Sequence, residues 1–350
     1  MDAITQRGTA AIPYDAHMSV RWGIAGTGRV SHLVASEFTT AASAELGGGE
    51  LVAVASRDQG RADAFASEFS LPISHGSYQA LLDEPSVDAI YVGTPNAQHY
   101  ALALAAIAAG KAVLVEKSMT CQAQHTRALA RAAREAGVFA MEGMWTRFLP
   151  AIRAAHEAVD AGRIGQPRCV QGDLFAPRQF DPADRLFAPE LGGGAMLDLG
   201  VYALHFAQDF LGAPVTVDCA GELTSSAVDA SATMQLRYAS GLTSQLAISL
   251  RAHGPGRMCL MGTEGFIEVE PRFHHPTSIV VHEGSKASER ITLPFAGSGY
   301  RLELAAASQA IAGGLTEHPL VPLSDSVAVA VVMTHALEQL GYRPEDDQAF

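Results

Sequence analysis

Two short stretches early in the chain carry residue types and spacings that fit a dinucleotide. Residues 26–31 read Gly-Thr-Gly-Arg-Val-Ser, directly after an apolar run and at the opening of an amphipathic one, the context that gives a glycine pattern its meaning. Gly26 would make the tight turn and Gly28 would let the backbone approach a pyrophosphate. Thr27, Arg29 and Val30 complete the loop and helix start on which phosphates would rest. Ser31 stands where a third glycine is usual and is small enough for close helix–strand packing. The second stretch is Ser56-Arg57, at the end of the next apolar run. An acidic residue there would hold a ribose 2′-hydroxyl, whereas a hydroxyl and a guanidinium suit a 2′-phosphate. NADP is therefore expected over NAD, unless Arg57 is only a solvated loop charge. Asp58, one residue late, is placed to cap the following helix.

The elements that must position these groups follow from periodicity. Up to about residue 148, fully apolar runs at 21–25, 51–56, 89–93, 112–116 and 138–141 alternate with helical windows at 30–38, 61–69, 78–82, 97–109 and 121–136. Strands that are apolar throughout are covered by helices on both faces, so this part reads as a doubly wound parallel sheet. Thr120 and Gly137 bracket one helix as N-cap and C′ residues, and Gly110 closes another. After Pro150 a helix at 151–161 and a strand at 168–172 lead into a Pro-, Arg- and Phe-bearing loop at 176–194, then a long helical window at 195–211. Alternating apolar and polar runs at 232–238, 243–250, 257–261, 266–269 and 278–281 predict a mostly antiparallel sheet with helices on one face. Helical windows at 301–312 and 324–340 close the chain. The expected fold is α/β followed by α+β, with a loose extension over 1–19, a dinucleotide-binding domain over 20–148 and a substrate-binding, oligomerising domain over 149–350.

Bulk properties narrow the function classes. The chain has 350 residues, 48% of them apolar, and a formal net charge of −13. That balance argues against a nucleic-acid binder, which needs a basic face, but not against a dinucleotide held by backbone N–H groups. Cys121, Cys169, Cys219 and Cys259 show no metal or CxxC spacing and read as reduced thiols; no metal site is expected. No apolar run reaches membrane-spanning length, and the first residues lack the pattern of a signal peptide, so a cytoplasmic protein is expected. Met18 stands just ahead of the first strand.

The strings RWGIAGTGRVS, VASRD, GTPNAQH (93–99), VEKS (115–118), MEGMWTRF (141–148) and LGGGAMLDLGVY (191–202) together resemble the glucose-fructose oxidoreductase / inositol dehydrogenase (Gfo/Idh/MocA-type) family. Within it they are most similar to the branch of dimeric dihydrodiol dehydrogenases and NADP-dependent D-xylose dehydrogenases. The resemblance implies a Rossmann domain plus an open-faced sheet whose outer face makes a homodimer or higher homo-oligomer. It implies that Thr94, Pro95, Asn96 and His99 pass the nicotinamide side of the cofactor, with Glu116 and Lys117 beside them. It implies that Lys117 is catalytic together with Asp198 and Tyr202. The family's Glu-Lys-Pro motif departs here at Ser118. A cis peptide before serine costs about 3 kcal/mol relative to trans, so either the bond is trans or the loop is strained.

Hydride transfer at a carbinol needs a base for the hydroxyl proton and donors for the oxygen as charge develops. Lys117 ends a strand at the carboxyl edge, where open α/β sheets place ligands. Burial and a cationic nicotinamide would lower its pKa, and Glu116 would oppose this if it points inward. Asp198 and Tyr202, four apart on one helix, share a face. Tyr202 would exchange the proton, its phenol pKa lowered by Lys117, while Asp198 orients the lysine or a substrate hydroxyl. Trp145 and Arg147 are candidates for the substrate pocket or for packing between domains. Arg178, Phe180 and Phe187 could form a wall or lid. His205 reads as a packing residue, and His274-His275 lacks a third partner for a metal. The leading expectation is an NADP-dependent oxidoreductase acting on a CH–OH or C=O group of a small sugar, polyol or trans-dihydrodiol. Two alternatives stand beside it. A redox-assisted glycoside hydrolase would retain NAD without net turnover. A non-catalytic NADP sensor would need only the 26–31 end.

Overall fold

The computed structural model describes residues 19–347 and 349–350; the expected extension over 1–19 lies, apart from Ser19, outside the described residues. The first part alternates β1 (Val20–Ala25), α1 (Arg29–Thr40), β2 (Gly49–Ala55), α2 (Gln59–Phe69), β3 (Ile73–His75), α3 (Tyr78–Leu82), β4 (Ala89–Val92), α4 (His99–Ala108), β5 (Ala112–Glu116), α5 (Ala123–Ala136) and β6 (Ala140–Gly143). Its six strands pair in parallel in the order β3-β2-β1-β4-β5-β6. The order reverses between β1 and β4, which is where a sheet of this kind leaves a crevice at its carboxyl edge. Strands β4 and β5 are buried at every position, the reason they read as continuous apolar runs.

Helix α6 (Pro150–Asp160) begins with proline, whose missing N–H costs nothing at that position. Next come β7 (Pro167–Phe175), a π-turn at Met196–Gly200 and α7 (Val201–Leu211). The second sheet is completed by β8 (Thr216–Leu223), β9 (Asp229–Arg237), β10 (Thr243–Ser249), β11 (Met258–Gly262), β12 (Gly265–Val269), β13 (Ser278–Glu283) and β14 (Glu289–Thr292). Its order is β14-β13-β12-β11-β7-β10-β9-β8. Only β7 and β10 pair in parallel; the other neighbours are antiparallel. Val170, Met234, Leu236, Leu246 and Ile248 are buried on strands covered by α7 and α9 (Leu323–Leu340), while Gln171, Gln235 and Gln245 lie on the open face.

Helices α8 (Tyr300–Ala312) and α9 turn back onto the first sheet, α8 against α1 and α9 against α5. Trp22 on β1 donates from Nε1 to Ser308 Oγ on α8 at 3.0 Å, and one core cluster runs through both lobes.

The alternation missed β3, β8 and β14. β3 spans only three residues, and the others are largely exposed strands with few apolar positions. Thr120 does not cap α5. Gln122 takes that position with no side-chain hydrogen bond, and Thr120 Oγ1 donates to Gln122 O at 2.8 Å instead. Gly137 does close the helix, in the left-handed conformation at φ 64°.

Candidate active site

Gly26 has φ +102°, and a Cβ there would sit 3.0 Å from Gly93 O, so both the conformation and the close approach of β4 require glycine. Gly28 is the N-cap of α1; no side chain caps that helix and no acid sits in its first turn. Its leading N–H groups are left for a ligand anion. Gly28 and Arg29 are exposed, with Thr27 and Val30 half-buried beside them. Ser31 is buried, and a Cβ on Gly93 would come within 2.6 Å of its Oγ, which is why a small residue stands there. This cradle fits a pyrophosphate. At the end of β2, Ser56 is buried and Arg57 exposed. Asp58 caps α2 by accepting from Arg61 N–H at 2.8 Å.

The loop after β4 is tied down from several sides. Thr94 is buried, Pro95 and Asn96 are half-buried, and Asn96 Nδ2 donates to Gly192 O at 3.0 Å. His99 does not line the crevice. Its ring is fully buried, with Nδ1 2.8 Å from Ser118 O and Nε2 2.9 Å from Thr94 O. Burial lowers its pKa against the pull of those carbonyls, so the ring is neutral and donates to one carbonyl at a time. His99 is a strut joining the two loops that flank the crevice, a correction to its expected contact with cofactor.

Lys117 leaves the end of β5 next to a cis Lys117–Ser118 peptide, and Ser118 Oγ donates to Leu197 O at 3.0 Å. Lys117 Nζ donates to Asp198 O at 2.8 Å and to Asp198 Oδ1 at 2.9 Å. It also stands 4.9 Å from the centre of the Tyr202 ring. Burial alone would raise the Asp198 carboxyl, but the charges of Lys117 and Arg185 outweigh it and hold the group at about 2. Tyr202 Oη accepts from Trp145 Nε1 at 2.9 Å, and Trp145 stacks on Tyr300 at 4.9 Å. Burial, with Glu116 nearby, pushes the Tyr202 phenol well above its ordinary value. The expected lowering by Lys117 is overturned, because desolvation of the phenolate outweighs one cation. Glu116 does point inward: it accepts from Tyr91 Oη at 2.6 Å and from Lys117 N–H at 3.1 Å. Burial raises its carboxyl, with Tyr91 and Lys117 opposing.

The π-turn that presents Asp198 is held from below by Asp229 on β9. Its Oδ2 accepts from Met196 N–H at 2.6 Å, and its Oδ1 occupies the space a Cβ on Gly194 would need. Burial pushes this carboxyl up to about 7. The third glycine of LGGGAMLDLGVY is thus a packing requirement as well as a left-handed turn, at φ +120°.

Arg147 is not in the pocket. It is 3% exposed, with Nη1 2.6 Å from Asp325 Oδ2 and 2.9 Å from Leu320 O, and Nη2 3.2 Å from His205 O. It packs the junction, the second of its two expected readings. His205 pairs with Glu142 at 3.0 Å in the same buried region. Of the loop candidates, Phe187 is buried, Phe180 is 43% exposed and the Arg178 guanidinium donates to Pro177 O at 3.0 Å.

Three groups reach the site without having been singled out for it. Arg185 comes within 3.5 Å of Asp198 Oδ1. His274 lies 5.2 Å from the Tyr202 ring and His275 5.9 Å from Trp145. Burial, with the neighbouring positive charges, takes His274 down to about 3. Only the proximity of these histidines to a strand end was visible beforehand.

A glycine-turn crevice with a lysine at the end of β5, met by an aspartate and a tyrosine from the π-turn and α7, defines a nicotinamide-dependent oxidoreductase. Family models match on both lobes: the NAD-binding Rossmann fold of the oxidoreductase family over residues 20–144, and the Gfo/Idh/MocA C-terminal domain over 152–268. The chain belongs to the Gfo/Idh/MocA oxidoreductase family. Trans-1,2-dihydrobenzene-1,2-diol dehydrogenase of Mus musculus is 33% identical over 341 residues, covering 94% of this chain and 99% of that one. The Xenopus laevis enzyme of the same name is 32% identical, covering 93% and 99%. Among solved structures, a 3-ketoreductase from Actinomadura kijaniata in complex with NADP and TDP-benzene is 27% identical with a TM-score of 0.80, covering 95% and 100%. A levoglucosan dehydrogenase in complex with NADH and levoglucosan shares the fold at 19% identity and a TM-score of 0.84, covering 93% and 98%.

Proposed function

We propose that this chain is an NADP-preferring dehydrogenase or reductase that moves a hydride between nicotinamide and a CH–OH or C=O group of a small sugar, polyol or trans-dihydrodiol. The observation that carries the reading is the meeting of Lys117 and Asp198, 81 residues apart, at 2.9 Å beside the Tyr202 ring. The pyrophosphate would lie on Gly26, Thr27, Gly28, Arg29 and Val30, a 2′-phosphate on Ser56 and Arg57, and the nicotinamide half past Thr94, Pro95, Asn96, Glu116 and Lys117. The bound cofactor supplies or accepts the hydride.

The protein's own groups handle the oxygen and its proton. A lysine ammonium has three donors, and Lys117 directs two to Asp198, leaving one for the substrate oxygen. Tyr202 receives a hydrogen bond from Trp145 and has its own proton to give. Burial raises the phenol, so Tyr202 would give its proton to a forming alkoxide in reduction and take it back in oxidation. Trp145 holds the phenol in place, and Asp198 fixes the lysine. Arg185 and His274 bound the same space.

We place the protein in the cytoplasm, in keeping with its free cysteines, and assign the open face of the second sheet, with its row of Gln235, Gln245 and Gln171, to a homodimer. A division near residue 148 into a cofactor lobe and a substrate lobe accords with the two sheets. A redox-assisted glycosidase is disfavoured by Arg57 at the end of β2. A sensor is disfavoured by the Lys117–Asp198–Tyr202 cluster, which cofactor binding alone does not need. The test is a panel of aldoses, polyols, their ketones and trans-dihydrodiols with NADP(H) and NAD(H), followed by the reduced-nicotinamide absorbance band. Turnover with none of them, or a consistent preference for NAD(H), overturns the reading.

A further inference from the structure

The chain after α9 returns to the cofactor edge. Tyr342, Pro344 and Asp346 are buried while Arg343 and Glu345 are exposed, the alternation of an extended segment with one face against the protein. Tyr342 Oη donates to Gly193 O at 3.0 Å, and Gln122 Nε2 donates to Pro344 O at 2.9 Å. The Asp346 carboxylate accepts from Cys121 N–H at 2.8 Å with Oδ1 and meets His125 Nδ1 at 2.8 Å with Oδ2. Asp347 N–H donates to Ala97 O at 2.7 Å. The Phe350 ring then lies 6.2 Å from that of Tyr78, close enough to Arg57 for its charge to act on the phenol.

These contacts fall in a meaningful order. Cys121 follows β5, Ala97 follows β4 and Tyr78 follows β3. The segment therefore crosses the carboxyl ends of the strands in the sense a dinucleotide takes there, from the nicotinamide end toward the adenosine end. On its way it ties the loop after β5 to the loop after β4, two of the walls between which a cofactor must lie.

We infer that residues 342–347 and Phe350 are part of the cofactor site, fixing the two flanking loops through Asp346 and Asp347 and forming, with Phe350 against Tyr78, the outer wall of the adenosine subsite. The ligand class is the adenosine half of the dinucleotide, bound beside Arg57. The inference rests on the placement of that half at Arg57. It predicts affinity gained by ordering the loops before binding and adds no group to the chemistry at Lys117.

The experiment measures binding of NADPH, adenosine 2′,5′-bisphosphate and reduced nicotinamide mononucleotide by calorimetry. The proteins are the full chain, a form lacking 343–350, and the variants Asp346→Ala, Asp346→Asn and Phe350→Ala. Truncation should weaken NADPH and both half-ligands, the bisphosphate by roughly tenfold, whereas Asp346→Ala, which frees the loops after β4 and β5 that the nicotinamide half passes, should weaken NADPH and the mononucleotide more than the bisphosphate. Asp346→Asn, which keeps an acceptor for Cys121 N–H, should retain most of the affinity. Unchanged bisphosphate binding in the truncated form, or mononucleotide binding that Asp346→Ala leaves unchanged, overturns the inference. If the truncated form does not fold, Phe350→Ala decides: the ring is 40% exposed, and its removal should cost the bisphosphate about threefold with the mononucleotide unaffected. No change there overturns the inference. Should the full chain bind neither NADPH nor NADH, the cofactor placement itself fails and this inference with it. Binding by the full chain that the tail variants match rejects this inference alone.

Discussion

Lys117 and Arg147 are both cations carried from the first lobe to carboxylates of the second, yet they do different work. Arg147 is sealed in: Asp325, Asp209 and two backbone carbonyls surround a guanidinium that is 3% exposed, although its Nε has no partner among the described residues. Lys117 keeps one donor uncommitted and is 13% exposed on the side facing the crevice. The same pairing chemistry gives a rivet where the cation is enclosed in the junction and a candidate for chemistry where a donor is left at the crevice. The difference lies in burial, 3% against 13% of the side chain exposed, which residue type alone does not announce.

The comparison is broken most forcefully at Lys117. In Lys117→Met the rate should fall by roughly 10³-fold or more while NADPH binding stays nearly intact, because the ammonium acts on the reacting oxygen. Turnover within a few-fold of wild type would put Lys117 in the same class as Arg147. Tyr202→Phe should lower kcat by roughly 10²–10⁴-fold with little change in melting temperature, and the pH profile of kcat/KM should lose a limb. A rise in KM alone would make Tyr202 a substrate-positioning group instead.

Arg147→Met should show the opposite signature. Removing the buried cation that pairs with Asp325 should cost about 3–5 kcal/mol of stability, read by denaturant titration, while kcat of the folded fraction changes little. At the far end of the crevice, Arg57→Ala should weaken NADPH by about 1.5–3 kcal/mol and NADH hardly at all. Equal losses would remove the 2′-phosphate assignment.

The smallest effect is acid-dependent. Asp198 sits at about 2 when folded against roughly 3.9 for a free aspartate. The folded state therefore binds its proton less readily than the unfolded chain. The stability this contributes is present above about pH 4 and disappears as pH falls through about 2. Melting curves of wild type and Asp198→Asn should converge over that window. A gap of constant size would mean that the pair contributes through something other than charge.

The first lobe was legible because its signals are local. Gly26 and Gly28 follow an apolar strand directly, and residues 112–116 match β5 from Ala112 to Glu116. The second lobe gave up its long alternating strands but not β8, whose exposed residues leave little pattern to read. At the site, Lys117, Asp198 and Tyr202 came from motif resemblance and do meet. What stayed hidden depends on three-dimensional crowding: burial reversing the expected shift of the Tyr202 phenol, Arg185 arriving from a loop, and His99 spending both nitrogens on backbone. Arg147 was readable as pocket or as packing, and only the position of Asp325, 178 residues later, separates the two.

The bond between Trp22 and Ser308 spans 286 residues, and its consequence is temporal. During synthesis the N-terminal strands leave the ribosome long before α8 exists, so one face of the nascent sheet must wait with Trp22 uncovered. That lobe cannot reach its final packing until α8, at the start of the last seventh or so of the chain, has emerged. Premature termination anywhere before α8 would then release a polypeptide with an open apolar face, a substrate for chaperones and proteases.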